Sequence, residues 1–319
     1  MAAGGGAATT PSPDRPLRIA IVGAGGVGGY FAAALATAGH HVQVLARGSH
    51  LAAMRANGGL QLAEPGGRRR IIDVGATDDA RALAGAAFVV VAVKSYSLAE
   101  VAPVLAVLAA AGSVVVPLLN GVGTDQTLAS LGVPRQAIVG GLTYISAART
   151  AAGVVERFST FKRITVGEFS GPVTGRVQQL AAAFRDADVD ATTTDAIDVA
   201  LWRKFAFIAS MGAVCSLARS PAGAVRAAPY GRDVVERAVR EVVAVGRASG
   251  VVLDDSVVGD TMHIFDGLAP DAKPSLLLDI ERGGPTELDA LSGTVARRGR
   301  LVGVDTPVHD TAVAALSAH

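Results

Sequence analysis

The chain has 319 residues, half of them apolar and 18% charged, and its 29 basic and 28 acidic residues leave a formal charge of +1. These values predict two folded domains, and they exclude a disordered chain, a strongly basic nucleic-acid-binding surface and a general attraction to anionic membranes. The single cysteine, Cys215, excludes an internal disulfide and a thiolate metal cluster, so a cytoplasmic protein is expected.

The chain is predicted to begin with an untargeted leader and to continue as a β–α–β unit. Residues 1–16 lack the basic start and the apolar block of a secretory signal, so we expect a disordered leader there. The largely apolar run 17–22 predicts a buried strand, residues 23–28 a glycine turn, the Ala-rich stretch to residue 38 a helix, and residues 41–46 a second strand. This order is typical of a parallel sheet.

The alternation of strands and helices continues to about residue 118. Apolar runs at 88–93 and 113–118 predict strands, with a helix over 98–110 between them. Residues 101–119 carry no charge, but two prolines and a Gly112–Ser113 break argue against a membrane-spanning helix. Three later runs, at 137–145, 154–159 and 164–169, predict antiparallel strands that extend one edge of the sheet.

From about residue 195 onward, the spacing of the apolar residues is typical of helices and no longer of strands. Four long segments predict helices, at 195–217, 229–249, 255–265 and 287–298. The sequence therefore predicts an α/β domain over residues 17–194, followed by an all-helical domain over residues 195–319.

The glycine turn carries the clearest functional signal. It reads Gly23-Ala24-Gly25-Gly26-Val27-Gly28, directly after a buried strand and at the start of a helix. In such a turn the first glycine permits the tight bend, the second lets a pyrophosphate approach the backbone, and the third lets helix and strand pack closely. A glycine-rich connection without a ligand is the alternative, but the flanking strands and helix favour a dinucleotide site.

The end of the second strand indicates which dinucleotide is bound. An NAD site places an acidic residue there for the ribose hydroxyls, whereas this strand is followed by Arg47. A guanidinium can bind the extra 2′-phosphate of NADP in bidentate fashion. We therefore expect NADPH as the cofactor; the alternative is that Arg47 is a solvated surface residue.

Lysine is scarce, since only Lys94, Lys162, Lys204 and Lys273 occur among the 29 basic residues. An ammonium can lose its proton when it is buried, whereas a guanidinium cannot. Lys94 follows a predicted central strand, and Lys204 lies on a predicted helix in an apolar setting. Lys204 is therefore either a snorkelling residue or a proton donor with a shifted pKa.

The remaining motifs complete a set that runs in order from about residue 18 to about residue 308. The motifs are the 23–28 turn, Arg47-Gly48, Val93-Lys94, Asn120-Gly121-x-Gly123-Thr124, Ala147-Ala148-Arg149, Leu201-Trp202-x-Lys204-Phe205, and Pro274-Ser275 twelve residues before Thr286-Glu287. As a set they resemble the ketopantoate reductase (2-dehydropantoate 2-reductase) family. The resemblance implies a Rossmann-type dinucleotide-binding domain followed by an all-helical C-terminal domain for substrate binding and dimerisation, with the site in the cleft between them.

The resemblance also implies an activity: NADPH-dependent reduction of 2-dehydropantoate to (R)-pantoate, on the route to pantothenate, by a cytoplasmic homodimer. The expected partner is a small 2-oxo acid, with no nucleic acid, membrane or metal. Independently of the resemblance, the six histidines show no metal-ligand spacing.

By resemblance, each motif contributes a residue to the site. Arg47 and Lys94 would hold the 2′-phosphate end of NADPH, which also runs along the glycine turn, Asn120 and Ala148. Lys204 would donate the proton, and Glu287 would contact the cofactor or the active site close to this lysine. Ser275, with Asn120 and Lys204, would contact the substrate. Glu287 would tend to raise the pKa of Lys204 and burial would lower it, and the sequence does not decide between these effects.

The chain departs from the family pattern where asparagines usually hold the substrate. These positions are Ile208 and Gly212, one and two helical turns after Lys204, and Ala222. The departure concerns the substrate more than the cofactor or the reaction type. It leaves two alternatives: a reductase of a different 2-oxo acid or ketone on the same scaffold, and an NADP(H) sensor without turnover. Retention of Lys204 and Glu287 argues against the sensor.

Overall fold

The structure is a computed structural model that describes residues 16–318, so the predicted leader lies outside the described residues except for its last residue. The chain divides into two compact units. Among the described residues, the first unit holds 16–93 together with 101–118 and 128–195. The second holds 94–100, 119–127 and 196–318. The two short segments 94–100 and 119–127 lie within the predicted first domain but belong to the second unit.

A five-stranded parallel sheet forms the centre of the first unit, in the order β5-β2-β1-β6-β7. Its strands are β1 (Arg18–Val22), β2 (His41–Leu45), β5 (Gly75–Thr77), β6 (Phe88–Val91) and β7 (Val114–Pro117). Val and Ile are frequent in β1, β6 and β7, as expected for parallel strands that are covered on both faces. Val22 is paired with Leu45 and with Val91, so the carboxyl ends of β1, β2 and β6 lie at one edge. The predicted β–α–β unit is confirmed.

Two of the later predicted strands pair antiparallel, as expected, but they belong to a separate sheet, which an isolated parallel bridge between Val115 and Ile138 links to the edge strand β7. Strand β8 (Gly140–Tyr144) pairs antiparallel with β11 (Arg163–Gly167), and β12 (Asp190–Thr193) joins β11 in parallel, which makes a three-stranded sheet. A four-stranded sheet contains β3 (Leu60–Ala63), β4 (Arg69–Ile72), β9 (Ala147–Ala151) and β10 (Val154–Arg157). Strands β3, β9 and β12 were not predicted. Pairing between strands that are distant in the chain is decided by tertiary packing.

The α-helices between residues 16 and 195 are α1 (Gly26–Thr37), α2 (Gly48–Ala56), α3 (Leu98–Ala110), α4 (Thr124–Ser130) and α5 (Gly175–Asp186). The bounds of α3 are those predicted, with Pro103 inside the helix. Phe31 of α1 and Phe184 of α5 are both fully buried and meet edge to face, with ring centroids 5.2 Å apart. This contact places α1, and the glycine turn that precedes it, against a rigid core.

The second unit is helical, as predicted. Its helices are α6 (Ile197–Leu217), α7 (Ala222–Ala227), α8 (Gly231–Ala248), α9 (Ser256–Asp266), α10 (Ser275–Glu281), α11 (Thr294–Val302) and α12 (Pro307–Leu316), with a π-helical turn over Asp289–Gly293. Trp202 and Phe205 of α6 pack edge to face with their centroids 5.6 Å apart. Leu276 and Leu291 belong to the same core.

Helix α6 is the structural centre of this unit. Helices α7, α8, α9, α10 and α12 all pack against it. Within residues 16–318, α6 has the length and composition that could cross a membrane, but 67% of its apolar window is buried inside the protein. An apolar helix surrounded by other helices is what a core position requires, so its composition is explained by packing.

Candidate active site

The glycine turn connects β1 to α1 with very little space around it. Gly23 has φ +105°, and a Cβ there would lie 2.7 Å from the backbone of Ala92. A Cβ on Gly26 would lie 2.1 Å from the carbonyl oxygen of Ala147 and 2.7 Å from the Cα of Ala148. The backbone of Ala148 in β9 therefore lies against the start of α1, and the turn is compatible only with glycine at these positions.

Gly25 differs from its neighbours, because no atom would lie within 4 Å of a Cβ built there. Gly25 is the N-cap of α1, and the first N–H groups of a helix have no partners within the helix. Open space above exposed N–H groups, at the positive end of a helix dipole, suits a phosphate or pyrophosphate. The turn therefore fits the pyrophosphate of a dinucleotide cofactor.

Arg47 lies at the same edge of the sheet. It follows β2 as the N-cap of α2, and it is exposed. Because β2 is the direct neighbour of β1 in register, Arg47 and Gly23 follow the carboxyl ends of adjacent parallel strands. An arginine in this place is accessible to an anionic group of a ligand that lies across the strand ends.

The other predicted site residues, Lys94, Asn120, Lys204, Ser275 and Glu287, belong to the second unit. The ammonium of Lys204 donates to the Oδ1 atom of Asn120 over 3.1 Å. Asn120 comes from the short segment 119–127, whereas Lys204 is on α6. The structure thus brings together two residues that are 84 positions apart in the sequence.

Burial decides the protonation behaviour of Lys204. The side chain is only 9% exposed, and burial lowers its pKa from the usual 10.5 to about 8, against the opposing attraction of the Glu287 carboxylate. The sequence did not decide whether burial or Glu287 has the larger effect on the pKa of Lys204. In the structure the effect of burial is larger. An ammonium with a pKa near 8 is charged at neutral pH and gives up its proton far more readily than an exposed lysine.

Glu287 is held by two groups of the segment 94–100. Its Oε2 atom accepts from the Lys94 ammonium over 3.1 Å, and its Oε1 atom accepts from the backbone N–H of Ser95, also over 3.1 Å. Lys94 donates in addition to Oδ2 of Asp279 over 2.8 Å. Burial alone would lower the pKa of Lys94, but Glu287 and Asp279 outweigh it and raise the pKa. Lys94 is therefore a firmly charged cation that bridges two carboxylates.

Two of these contacts were missed by the sequence analysis. Asp279 lies on α10, four residues after Ser275, and its carboxylate is 15% exposed. Ser95 contributes only its backbone N–H. Asp279 could have been suspected from its helical spacing to Ser275, whereas a backbone donor leaves no signal in the residue type.

The positions that depart from the family pattern lie in an apolar environment. Ile208 is half-buried, and Gly212 is buried one turn further along α6. A Cβ on Gly212 would lie 3.6 Å from Leu276 and 3.7 Å from Leu291, so a small side chain would be accommodated there. Ala222 is fully buried, and its N–H donates to the carbonyl of Ala272. Ser275 is the exposed first residue of α10.

Within residues 16–318, no group of three or more His, Cys, Asp or Glu side chains is arranged to hold a metal ion. Cys215 is buried, and burial raises the pKa of its thiol to about 11. The thiol therefore stays protonated at neutral pH, and it packs as a small apolar side chain.

Comparison with known proteins decides the family. The model of the family "Ketopantoate reductase PanE/ApbA" matches residues 19–171, and the model of its C-terminal domain matches residues 196–319. The chain belongs to the ketopantoate reductase family. Ketopantoate reductases are oxidoreductases that act on CH–OH groups, and the chain is an enzyme of this class.

Relatives of the family match over nearly their whole length. The 2-dehydropantoate 2-reductase of Halobacterium salinarum is 33% identical over 293 residues, which cover 92% of this chain and 95% of that protein. The crystal structure of 2-dehydropantoate 2-reductase from Geobacter metallireducens is similar with a TM-score of 0.85 at 30% identity, and covers 95% of this chain and 99% of that one.

A third similar structure shares the fold alone. It is D-mandelate dehydrogenase in a ternary structure with NADH and anilino(oxo)acetate, with a TM-score of 0.85 at 21% identity and coverage of 95% of this chain and 98% of that one. The ketopantoate reductase fold therefore also occurs in a protein whose structure contains NADH.

Proposed function

We propose that the chain catalyses the NADPH-dependent reduction of 2-dehydropantoate to (R)-pantoate, with Lys204 as the proton donor. The observation that carries the proposal is the buried ammonium of Lys204, which donates to Asn120 and whose pKa is about 8. A proton donor of this kind is what reduction of a ketone requires, because negative charge develops on the carbonyl oxygen.

A bound NADPH would supply a hydride for the ketone carbon and would be oxidised to NADP⁺. The residues of this chain do the rest. The proton of the Lys204 ammonium passes to the carbonyl oxygen, which becomes the hydroxyl of the product, and Lys204 is left neutral until solvent protonates it again. Asn120 orients the ammonium through its hydrogen bond, and Glu287 stabilises the charged form before the transfer. Ser275 contacts the substrate.

The cofactor assignment rests on the first unit. The open backbone at Gly25 accommodates the pyrophosphate, with Ala148 alongside the turn. Arg47 binds the 2′-phosphate and so selects NADPH over NADH. In the second unit, Lys94 would provide a second cation for the 2′-phosphate end of NADPH while it remains paired with Glu287. We further propose that the enzyme acts in the cytoplasm as a homodimer.

A second candidate is reduction of a 2-oxo acid with a hydrocarbon side chain. It is favoured by the apolar face of α6 beyond Lys204, where Ile208 and Gly212 are followed by Leu276 and Leu291 of the neighbouring core. A site that hydrogen-bonds a substrate hydroxyl rejects the analogue without it by about 10⁴-fold or more, whereas an apolar wall discriminates only weakly.

The two candidates are separated by a pair of substrates that differ in one hydroxyl, 2-dehydropantoate and 3,3-dimethyl-2-oxobutanoate. NADPH oxidation is followed by absorbance with each of them. We expect a higher kcat/KM for 2-dehydropantoate, and a Lys204→Ala variant that loses roughly 100-fold or more in kcat while its Kd for NADPH changes little. Lys162→Ala, which removes a lysine paired with Asp188 in the first unit, is the control.

Each failure has a different meaning. A preference for the deoxy analogue would replace the first candidate by the second and leave the reaction class intact. Unchanged turnover in Lys204→Ala would remove the proton-donor assignment. NADPH binding without oxidation by any 2-oxo acid would favour a sensor of the cofactor.

A further inference from the structure

A chain of charged groups leads from the candidate proton donor to a carboxylate that has no assigned role. Glu287 acts electrostatically on Lys204, and Lys94 binds Glu287 over 3.1 Å and Asp279 over 2.8 Å. Arg282, one turn further along α10, lies 3.7 Å from the other oxygen of Asp279 and is largely exposed. The charges therefore alternate in sign along this chain.

We propose that Asp279 is a positioning residue, which holds Lys94 between two carboxylates and thereby controls how strongly the negative charge of Glu287 acts on Lys204. This inference rests on the proposed function, since it assigns a role to Asp279 in the same proton transfer. Asp279 does not touch the reacting atoms, and its effect passes through Lys94 and Glu287.

The geometry explains why the second carboxylate matters. The Glu287 side chain is 5% exposed, and that of Asp279 is 15% exposed, so neither charge is well screened by water. Glu287, Lys94 and Asp279 together carry a net charge of −1. Without Asp279, Lys94 would neutralise Glu287 completely, and the net charge near Lys204 would be zero. Without Lys94, two unopposed carboxylates would remain.

Several other charged residues on α6 and on the helices that pack against it are paired with groups other than Lys204. Arg203, on α6 itself, is paired with Asp254 and Asp260. Three more of these residues have hydrogen-bond partners of their own: Arg226 of α7, Glu241 of α8 and His309 of α12. Glu287 acts on the pKa of Lys204, and the Asp279–Lys94–Glu287 chain connects Glu287 to a second carboxylate.

The inference predicts opposite effects for two substitutions. Asp279→Asn should lower the pKa of Lys204 by about half a unit to one unit, because the local charge becomes more positive. Lys94→Met should raise it by a similar amount. Glu281→Gln, which removes the ion pair with Lys273 on the same helix, should leave it unchanged.

The test measures the pKa of Lys204 directly by NMR titration of protein labelled with ¹³C at the lysine ε-carbon. The chain has four lysines, so four signals are expected, and Lys→Arg variants assign them. The alkaline limb of kcat for NADPH oxidation should shift in the same direction as the NMR pKa, with Asp279→Asn lowest, wild type intermediate and Lys94→Met highest. A purely structural role for Asp279 would change the melting temperature without this order.

The inference is overturned if Asp279→Asn leaves the pKa of Lys204 unchanged, or if both substitutions shift it in the same direction. The NMR titration needs no turnover. A wild-type enzyme that reduces no 2-oxo acid would therefore reject the proposed function, while the titration would still decide whether Asp279 acts on Lys204.

Discussion

Replacing Lys204 by methionine should stabilise the second unit at neutral pH. The difference between the usual pKa of 10.5 and the value of about 8 in the folded protein corresponds to a cost of about 3 kcal/mol for burying the ammonium. Methionine has a similar length and no charge. Removing the buried charge should therefore stabilise the variant by about 3 kcal/mol. The variant also loses the hydrogen bond to Asn120, which lowers this stabilisation by about 1 kcal/mol. The expected net stabilisation is therefore about 2 kcal/mol.

The sign of the pH dependence follows from the direction of the shift. Since the pKa of Lys204 is lower in the folded state, the unfolded chain binds more protons between about pH 8 and pH 10.5. Over this range the wild type gains stability as the pH rises. The advantage of Lys204→Met is therefore full below pH 8 and disappears as the pH approaches 10.5.

Trp202, the only tryptophan of the chain, is 4% exposed and lies on the same helix, so its fluorescence reports unfolding of the second unit. Urea denaturation at pH 7 and at pH 9.5 measures the difference in the free energy of unfolding. Lys273 is exposed and serves as a control: Lys273→Met should change the free energy of unfolding by less than about 0.5 kcal/mol. The reasoning is refuted if Lys204→Met is no more stable than wild type at pH 7, or if its advantage is the same at both pH values.

Three further predictions concern the cofactor turn, its phosphate end and a buried histidine. Gly25→Ala should keep the melting temperature and weaken NADPH binding, whereas Gly26→Ala should lower the melting temperature, because its Cβ would lie 2.1 Å from the Ala147 oxygen; calorimetry and NADPH fluorescence titration distinguish the two. Arg47→Ala should lower the ratio of kcat/KM for NADPH to kcat/KM for NADH, because the variant lacks the cation proposed to bind the 2′-phosphate. An unchanged ratio would show that Arg47 does not bind this phosphate. His309 is fully buried, and burial lowers its pKa from 6.5 to about 4. Its contribution to stability is thus present above pH 6.5 and lost as the pH falls toward 4. His309→Gln should therefore lose less stability between pH 7 and pH 5 in urea denaturation than wild type, and an equal loss would contradict the assignment.

Much of the fold was predictable because its signals are local. A strand, a glycine turn and a helix follow one another within about twenty residues, and the helix at 98–110 has the predicted bounds. Three of the four strands between residues 140 and 167 were recognised as extended segments, but β9 was not, and the three were assigned to the central sheet. Their partners include β3 and β12, which have four residues each, and such short segments carry too little periodicity to be recognised.

In the candidate site, too, some residues could be recognised from the sequence, whereas the contacts between them could not. Lys204 was conspicuous in the sequence because lysine is scarce and because it stands among apolar residues. The sequence did not reveal that Lys94 binds a carboxylate 185 positions away, or that a backbone N–H of residue 95 holds Glu287. Ion pairs depend on distances in space, and no spacing along the chain predicts them.

By itself the sequence determined the glycine turn, since the absence of a Cβ is a property of the residue type and acts on its immediate neighbours. It also determined which cations can lose a proton, because that depends on side-chain chemistry. Only the tertiary structure decided that burial outweighs Glu287 at Lys204 and that Asp279 joins the chain of charges. The physical reason is that desolvation and Coulomb energies are set by the surroundings of a group in three dimensions, and residues far apart in the sequence provide those surroundings.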